Sequence, residues 1–312
     1  MTLIWLPFDA GLLRQRPAGV RFETVVPDRR GGVPDSVRDV AFYVTPYRFG
    51  RPDVGWCAAA PALQVVQTLT AGVEHVAGHI PDTITLCNGR GIHDASTSEL
   101  AMALILASLR GIPDFVRAQD AGHWRWAWNP ALADKSVLIV GAGSIAHALV
   151  ARLEPFETQV RLVGRTARPG VHSVAELPDL LPEADVVVLL VPATAQTQGM
   201  VDADFLARLK DGALLVNVGR GSLVVTDDLI AALNSGRISA ALDVTDPEPL
   251  PDGHPLWRAP NLLISPHVGG PSSAMWPRAY ALVSEQVRRF AAGEPLLNVV
   301  PREPGDLAPA RS

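Results

Sequence analysis

Three segments that end apolar runs each carry a polar side chain suited to chemistry on a small anion. The side chains are Arg220, Glu248 and His267. A guanidinium binds carboxylates through paired hydrogen bonds, and an imidazole beside a carboxylate exchanges protons near neutral pH. Considered singly, each has an ordinary structural interpretation, as a strand end, a turn residue between prolines or a loop histidine. If parallel strands of one sheet position all three side chains, they predict a ligand-binding site. Ligands of such sheets bind beyond the carboxyl ends of the strands.

A glycine-rich turn upstream indicates what this sheet would bind. The apolar run 137–140 stops at the turn 141–146, which reads Gly-Ala-Gly-Ser-Ile-Ala, and a helical pattern follows. Gly141 permits a tight turn, and Gly143 lets the backbone approach a pyrophosphate closely. Free N–H groups at the start of the helix, near Ser144, would bind the phosphates. This order of strand, turn and helix predicts a dinucleotide site.

The end of the next apolar run, 160–163, predicts which dinucleotide is bound. NAD sites usually carry an acidic residue about 20 residues after the turn. This sequence has Gly164, Arg165, Thr166 and Arg168 there instead. A small residue leaves room for a 2′-phosphate, and a guanidinium binds that group through paired hydrogen bonds. The sequence predicts NADP(H) in preference to NAD(H), the alternative being a surface loop that carries arginines without a ligand.

The apolar runs predict an α/β protein of two domains. Residues 1–90 lack a glycine fingerprint and carry predicted strands at 3–6, 22–26, 40–44, 65–69 and 84–87. Six further strands are predicted at 137–140, 160–163, 186–191, 213–218, 238–244 and 262–265. We expect a Rossmann-type, doubly wound parallel sheet in a dinucleotide-binding domain at 96–271. We expect a smaller flavodoxin-like substrate domain at 1–95 and 272–312, to which a last helix over 273–292 returns.

Composition excludes several other classes of protein. A net charge of −5 and a pI near 5.9 argue against nucleic acid as a partner. Cys57 and Cys87 are too few and too widely spaced for a disulfide framework or a metal site. The N-terminus predicts a strand rather than a signal peptide, and the longest apolar run, 100–109, is too short for a bilayer. We therefore predict a cytoplasmic enzyme with no metal and no membrane contact.

A tryptophan cluster follows the helix predicted over 94–110, where we place the crossing between the domains. The cluster is formed by Trp124, Trp126 and Trp128. Large aromatic side chains of this kind pack in a core, at a subunit interface or over a cleft. The sequence leaves these alternatives open.

The motifs taken together resemble the D-isomer-specific 2-hydroxyacid dehydrogenases over nearly the whole chain. They lie at 70–76, 88–91, 98–99, 141–146, 191–197, 217–222, 242–251 and 265–270. The basic loop after Gly164 makes the resemblance closest to NADP-dependent glyoxylate/hydroxypyruvate reductases. The chain departs from the family pattern at Ala146, which replaces a third glycine, and at Thr245, where many relatives have an aromatic residue.

The resemblance implies a role for each site residue. Arg220 would bind the carboxylate and carbonyl oxygens of the substrate, together with the backbone N–H groups of Ala71 and Gly72. His267 would protonate the carbonyl oxygen as hydride arrives at carbon, and Glu248 would bind the other imidazole nitrogen and favour the protonated ring. The cofactor set, in which Asp243 would bind the nicotinamide carboxamide, is Gly141, Gly143, Ser144, Ile145, Arg165, Thr166, Arg168, Pro192, Thr197, Val218 and Asp243.

The resulting prediction is an oxidoreductase that reduces small 2-ketoacids, such as glyoxylate, hydroxypyruvate or pyruvate, to D-2-hydroxyacids with NADP(H). The resemblance also implies a homodimer formed through residues 100–128. One alternative is a formate or phosphite dehydrogenase on the same scaffold, since neither reaction needs a proton transfer to a carbonyl oxygen. A second is a non-catalytic protein that senses dinucleotides, which the retained Arg220, Glu248 and His267 disfavour.

Overall fold

The computed structural model describes residues 1–27, 32–48 and 53–301. Buried aliphatic and aromatic runs near the N-terminus form the first of its two parallel sheets. The strands are β1 (Thr2–Leu6), β2 (Val20–Thr24), β3 (Val40–Val44), β4 (Val65–Gln67) and β5 (Thr85–Cys87). Their order, β2-β1-β3-β4-β5, is that of a flavodoxin-like sheet. The five strands predicted for this region are confirmed, with ends that differ by at most 2 residues.

The second sheet has seven parallel strands flanked by helices. Its elements are α1 (Asp94–Leu109), α2 (Ile112–Asp120), β6 (Ser136–Val140), α3 (Ser144–Leu153), β7 (Gln159–Gly164), β8 (Val171–Ser173), α4 (Leu177–Leu180), β9 (Val186–Leu189), α5 (Ala203–Arg208), β10 (Leu214–Asn217), α6 (Thr226–Asn234), β11 (Ser239–Leu242) and β12 (Leu262–Ile264). The strand order is β12-β11-β10-β9-β6-β7-β8. Because the order reverses between β6 and β9, this sheet has the doubly wound arrangement of a Rossmann domain, as predicted.

The prediction of six strands for this sheet was wrong by one strand. The additional strand is β8, which pairs with the end of β7 from Leu162↔Val171 to Gly164↔Ser173. It has three residues, and the last two, His172 and Ser173, are polar. A run this short and polar carries no apolar periodicity, so only its pairing with β7 identifies it as a strand.

Alternate residues of β6 explain why helices cover both faces of the second sheet. Val137 and Ile139 pack in one core with α1 and α3, whereas Leu138 and Val140 pack in another with α5 and α6. Successive side chains of a strand point to opposite faces, so a continuous apolar run is what a strand covered on both sides requires.

The chain divides into two units at two crossings. One unit is Met1–His93 with Ser273–Ser312, and the other is Asp94–Ser272. The last helix, α7 (Met275–Ala292), belongs to the first unit, where its apolar face packs against Ile4 and Phe42. The boundaries expected from the sequence lie one or two residues from these crossings.

The tryptophan cluster is exposed. Trp124, Trp126 and Trp128 expose 97%, 76% and 88% of their surface. The alternative of burial within the chain is therefore wrong, because residues 123–130 form neither helix nor strand and pack into no core cluster. No helix in the described ranges is long and apolar enough to cross a bilayer, and those ranges hold no group of three His, Cys, Asp or Glu side chains placed for a metal ion.

Candidate active site

The two glycines of the turn after β6 have different steric surroundings. Gly141 has φ 122°, and a Cβ there would lie 2.8 Å from the Leu190 carbonyl carbon. Its N–H donates to Val163 O at 2.8 Å, which ties the turn to β7. A Cβ on Gly143 would meet nothing within 4 Å. The protein itself therefore does not require a glycine at position 143, and the open space in front of the turn fits a pyrophosphate that must approach the backbone.

The helix α3 begins immediately beyond this space. Its first amides, at Ser144 and Ile145, have no carbonyl partner one turn earlier in the helix. The positive end of the helix dipole also lies there, so the site favours an anion. The Ser144 hydroxyl donates to Asp94 Oδ1 at 2.9 Å. These groups can hold the phosphates of a dinucleotide.

The basic loop after β7 places one arginine against the turn. Arg168 Nη2 donates to Ala142 O at 3.0 Å, which fixes the guanidinium beside the glycine turn. A Cβ on Gly164 would lie 3.1 Å from Arg168 Nη1. Arg165 and Thr166 are exposed. Arg168 is therefore the arginine of this loop whose guanidinium is held beside the glycine turn.

The loop after β9 is closed by a threonine that was predicted to bind cofactor. Thr197 Oγ1 donates to Pro192 O at 2.6 Å and accepts from the Thr194 amide at 2.8 Å. A Cβ on Gly219, which follows β10 and the buried Val218, would lie 3.1 Å from Val191 O. The Thr197 hydroxyl therefore shapes this loop, and the ends of β9 and β10 lie in contact.

Arg220 and His267 are joined by a short path through the end of β11. Asn217 Nδ2 donates to Arg220 O at 2.8 Å, and the Asp243 amide donates to Asn217 O at 2.9 Å. The His267 amide in turn donates to Asp243 O at 2.7 Å. The guanidinium of Arg220 turns back to donate to its neighbour's carbonyl, Gly219 O, at 2.7 Å. The strand ends of β10, β11 and β12 thus bring both side chains to one edge of the sheet.

Asp243 makes hydrogen bonds to the histidine loop that its sequence position did not predict. It is 3% exposed, and its carboxylate accepts from Ser265 Oγ at 2.6 Å and from the amides of Val268 and Gly269 at 2.9 Å each. These three donors surround His267, whose φ of 54° is rare for a residue with a side chain. Asp243 therefore holds the histidine loop in its conformation. The signal in the sequence was its place at the end of β11, between the two strands that carry Arg220 and His267.

Glu248 partners the histidine side chain. Nδ1 of His267 donates to a carboxylate oxygen of Glu248, and the two side chains are 39% and 27% exposed. The Glu248 loop packs closely on the segment after Arg220, because a Cβ on Gly221 would lie 1.9 Å from Thr245 O. Thr245 itself donates to Pro247 O at 2.9 Å. The sequence prediction of an imidazole–carboxylate pair matches this contact.

The predicted carboxylate-binding amides, Ala71 and Gly72, lie in the first unit after β4. The carbonyl oxygens around them are occupied: His93 Nε2 donates to Leu69 O at 2.9 Å, and Gly89 N donates to Thr70 O at 2.7 Å. The Thr70 hydroxyl donates to Gly72 O at 2.7 Å. Within the described ranges neither amide donates to another protein group. A loop in which the carbonyls of Leu69, Thr70 and Gly72 accept hydrogen bonds while these two amides are available suits a small anion.

The edge formed by the ends of β6, β7, β9, β10, β11 and β12 therefore carries groups suited to a carbonyl reduction. It holds an anion-binding turn, a guanidinium beside that turn, a second guanidinium at Arg220 and an imidazole with a carboxylate partner. Sequence reasoning named these residues as candidates. It missed the hydrogen bonds that Asp94 and Asp243 accept, which hold the turn and the histidine loop.

Comparison with known proteins identifies relatives of this chain. The family model of the NAD-binding domain of the D-isomer specific 2-hydroxyacid dehydrogenases matches residues 102–269. The glyoxylate reductase/hydroxypyruvate reductase of Homo sapiens is 34% identical over 263 residues, which are 77% of this chain and 77% of that protein. The glyoxylate/hydroxypyruvate reductase A of Klebsiella pneumoniae strain 342 is 32% identical over 78% of this chain and 82% of its own length.

Solved structures resemble the chain over nearly its full length. A D-isomer specific 2-hydroxyacid dehydrogenase from Xanthobacter autotrophicus Py2, in complex with NADPH and MES, has a TM-score of 0.81 and 31% identity, covering 96% of this chain and 98% of that one. An NADPH-dependent glyoxylate/hydroxypyruvate reductase from Sinorhizobium meliloti, in complex with NADP and sulfate, has a TM-score of 0.80 and 26% identity over the same shares.

Proposed function

The chain belongs to the D-isomer specific 2-hydroxyacid dehydrogenase family of oxidoreductases, and we propose that it reduces small 2-ketoacids to D-2-hydroxyacids with NADPH. The observation that carries the proposal is the pairing of His267 with Glu248 on the same sheet edge as Arg220 and the Gly141 turn. A site with these groups can bind a carboxylate, polarise the adjacent carbonyl and deliver a proton to its oxygen.

The proposed cofactor is NADP(H) rather than NAD(H). A bound nicotinamide dinucleotide would supply the hydride, and its pyrophosphate would lie on the amides of Ser144 and Ile145. Arg168, fixed beside the turn by its bond to Ala142 O at 3.0 Å, would bind a 2′-phosphate. Since Gly164 stands where an NAD site has an acidic residue, nothing at this position repels that phosphate. The two solved structures compared above contain NADPH and NADP.

The chain's own residues would act as follows during reduction. Arg220 binds the substrate carboxylate and the carbonyl oxygen, which orients the carbonyl and draws charge toward its oxygen. His267 donates its Nε2 proton to that oxygen and takes a proton back in the oxidation direction. Glu248 accepts from Nδ1, so the ring keeps one orientation and presents Nε2 to the substrate. The amides of Ala71 and Gly72 are proposed as further donors to the carboxylate.

A substrate panel tests this proposal. The purified protein should oxidise NADPH, followed by the loss of absorbance at 340 nm, when given glyoxylate, hydroxypyruvate, pyruvate or a bulkier 2-ketoacid. The product should be the D-hydroxyacid. Turnover of formate or phosphite with none of the ketoacids would contradict the assignment, as would NADPH binding without any turnover.

We also propose a homodimer formed through residues 100–128. A groove of about 480 Å³ on this stretch is lined by Ala103, Leu106, Ala107, Arg110, Ile112 and Phe115. Beside it in sequence lie the three exposed tryptophans of the cluster 124–128. Three aromatic side chains, at roughly 150–250 Å² each, would supply much of the roughly 800 Å² per partner of a standard interface. Sedimentation should give twice the 33.2 kDa chain mass, and Trp126→Ser should shift the protein toward monomer.

A further inference from the structure

The first turn of α1 contacts both parts of the proposed active site. Asp94, the first residue of α1, accepts a hydrogen bond at 2.9 Å from the Ser144 hydroxyl at the start of α3. The two residues are 50 positions apart in sequence. Asp94 therefore reaches the turn at which the pyrophosphate is proposed to bind.

The same turn of α1 also holds the histidine loop. The Thr97 hydroxyl donates to Gly269 O at 3.1 Å in a buried bond, and the Ser96 hydroxyl donates to Gly270 O at 3.3 Å. A Cβ on Gly269 would lie 3.6 Å from Thr97 Cγ2 and 3.0 Å from Asp243 Oδ2. The segment just after His267 is therefore held between α1 and the carboxylate that fixes its conformation.

A helical turn connects these two sets of contacts rigidly. Asp94 and Thr97 are three residues apart, a spacing that places them on neighbouring positions of one helix face. Both residues lie within the 16-residue helix α1, whose ladder of backbone hydrogen bonds keeps their spacing fixed. A displacement of Asp94 is accordingly passed to Thr97 rather than absorbed by the backbone.

The charge of Asp94 argues against a role in cofactor affinity alone. A carboxylate near a pyrophosphate opposes anion binding, and it occupies the Ser144 hydroxyl proton that a phosphate oxygen would otherwise accept. A residue that served affinity would be neutral or cationic. An acidic residue here is better explained by what its hydrogen bond positions.

We propose that the first turn of α1 is a positioning element that couples occupancy of the phosphate turn to the order of the His267 loop. Asp94 acts through Ser144, and Thr97 acts through Gly269. The inference rests on the proposed function, because it assumes that a dinucleotide occupies the turn. It predicts that cofactor binding stabilises the histidine loop, and that this effect passes through α1.

Hydrogen exchange tests the coupling without requiring turnover. The amides of Val268 and Gly269 donate to Asp243 at 2.9 Å each, so their exchange reports opening of the histidine loop. Saturating NADP should slow their exchange at least about threefold in the native protein. Asp94→Ala and Thr97→Val should remove this added protection. Asp94→Asn and Thr97→Ser keep the acceptor and the hydroxyl and should restore it.

Ser98→Ala is the matched control, because the hydroxyl of Ser98 bonds only to carbonyls of its own helix in the described structure. That variant should retain the protection conferred by NADP. Activity adds a second readout. Asp94→Ala should lower kcat about 3- to 10-fold, which is the effect of losing one net hydrogen bond. The Kd for NADPH should rise by no more than about twofold.

Distinct outcomes overturn the coupling and the proposed function. If NADP binds but protects Val268 and Gly269 equally in the native protein and in Asp94→Ala, or protects them in neither, the coupling is wrong and the reductase assignment stands. If NADP protects the loop through Asp94 while no 2-ketoacid is reduced, the reductase assignment is wrong and the coupling stands. Failure of the native protein to bind NADP overturns both.

Discussion

Replacement of Arg168 should weaken the binding of NADPH more than that of NADH. The guanidinium donates to Ala142 O at 3.0 Å through Nη2, which leaves its other N–H groups for a ligand. A hydrogen bond between a charged guanidinium and a phosphate contributes about 1.5–3 kcal/mol. Arg168→Gln should therefore weaken NADPH about 10- to 150-fold. NADH lacks the 2′-phosphate, so its affinity should fall only because the bond between Arg168 and the turn is lost. This loss should be about 2- to 10-fold.

Two further variants separate charge from geometry at this position. Arg168→Lys keeps the charge but loses the planar fork, so its NADPH affinity should fall between those of the native protein and Arg168→Gln. Gly164→Asp places a Cβ within 3.1 Å of Arg168 Nη1 and 3.0 Å of Val171 Cγ1. Its carboxylate should displace the guanidinium, repel the 2′-phosphate and accept from ribose hydroxyls, so the preference should shift toward NADH.

The assay is a titration of each variant with NADPH and NADH, followed by kcat/KM for both cofactors at saturating 2-ketoacid. Arg165→Gln is the matched control, since Arg165 is an exposed guanidinium of the same loop. Its effect should be smaller than that of Arg168→Gln. Equal losses of NADPH and NADH affinity in Arg168→Gln would show that the side chain serves only to hold the turn, and the argument for a 2′-phosphate site would fail.

Other consequences of the structure can be measured directly. His267→Ala should lower kcat about 100- to 10,000-fold and Glu248→Gln about 10- to 150-fold, with the Kd for NADPH unchanged; a normal kcat would remove either from the mechanism. Burial raises the pKa of Cys57 to about 12 and of Cys87 to about 11; neither thiol should react with a disulfide reagent at pH 8 until denaturant is added. Burial opposes ionisation of Asp185, yet a lysine and a backbone amide lower its carboxyl pKa. Its stabilising effect is therefore present above about pH 4 and lost on acidification, so the Tm deficit of Asp185→Asn should shrink below that pH.

The fold could be predicted from the sequence wherever apolar runs were long. The run 137–140 has an apolar side chain at every position and lies between two helix layers, so its pattern alone identifies a central strand. The strand Val171–Ser173 could not be predicted, because its identity depends on pairing with β7 rather than on its own residues. Aromatic content alone did not decide the place of the tryptophan cluster, in which Trp124 and Trp128 expose 97% and 88% of their surface.

The residues of the candidate site that follow strand ends could be predicted from the sequence. Arg220, Asp243 and His267 each follow one of three adjacent strands, and parallel strands end at one edge. The contacts that hold these residues depend on pairs distant in sequence. Thr97 and Gly269 are 172 positions apart, and no local pattern links them.

The conformation of His267 connects the fold to the chemistry. A non-glycine residue in the left-handed region costs on the order of 1–3 kcal/mol and persists only when its surroundings fix it. At His267, φ is 54°. The constraint comes from the Val268 and Gly269 amides, which donate to Asp243, and from the Thr97 hydroxyl, which donates to Gly269 O. Because Nδ1 is also bound by Glu248, both the backbone and the ring are oriented before a substrate arrives. Loss of any one of these bonds should therefore reduce kcat more than substrate affinity, since binding groups elsewhere remain while proton delivery loses its geometry.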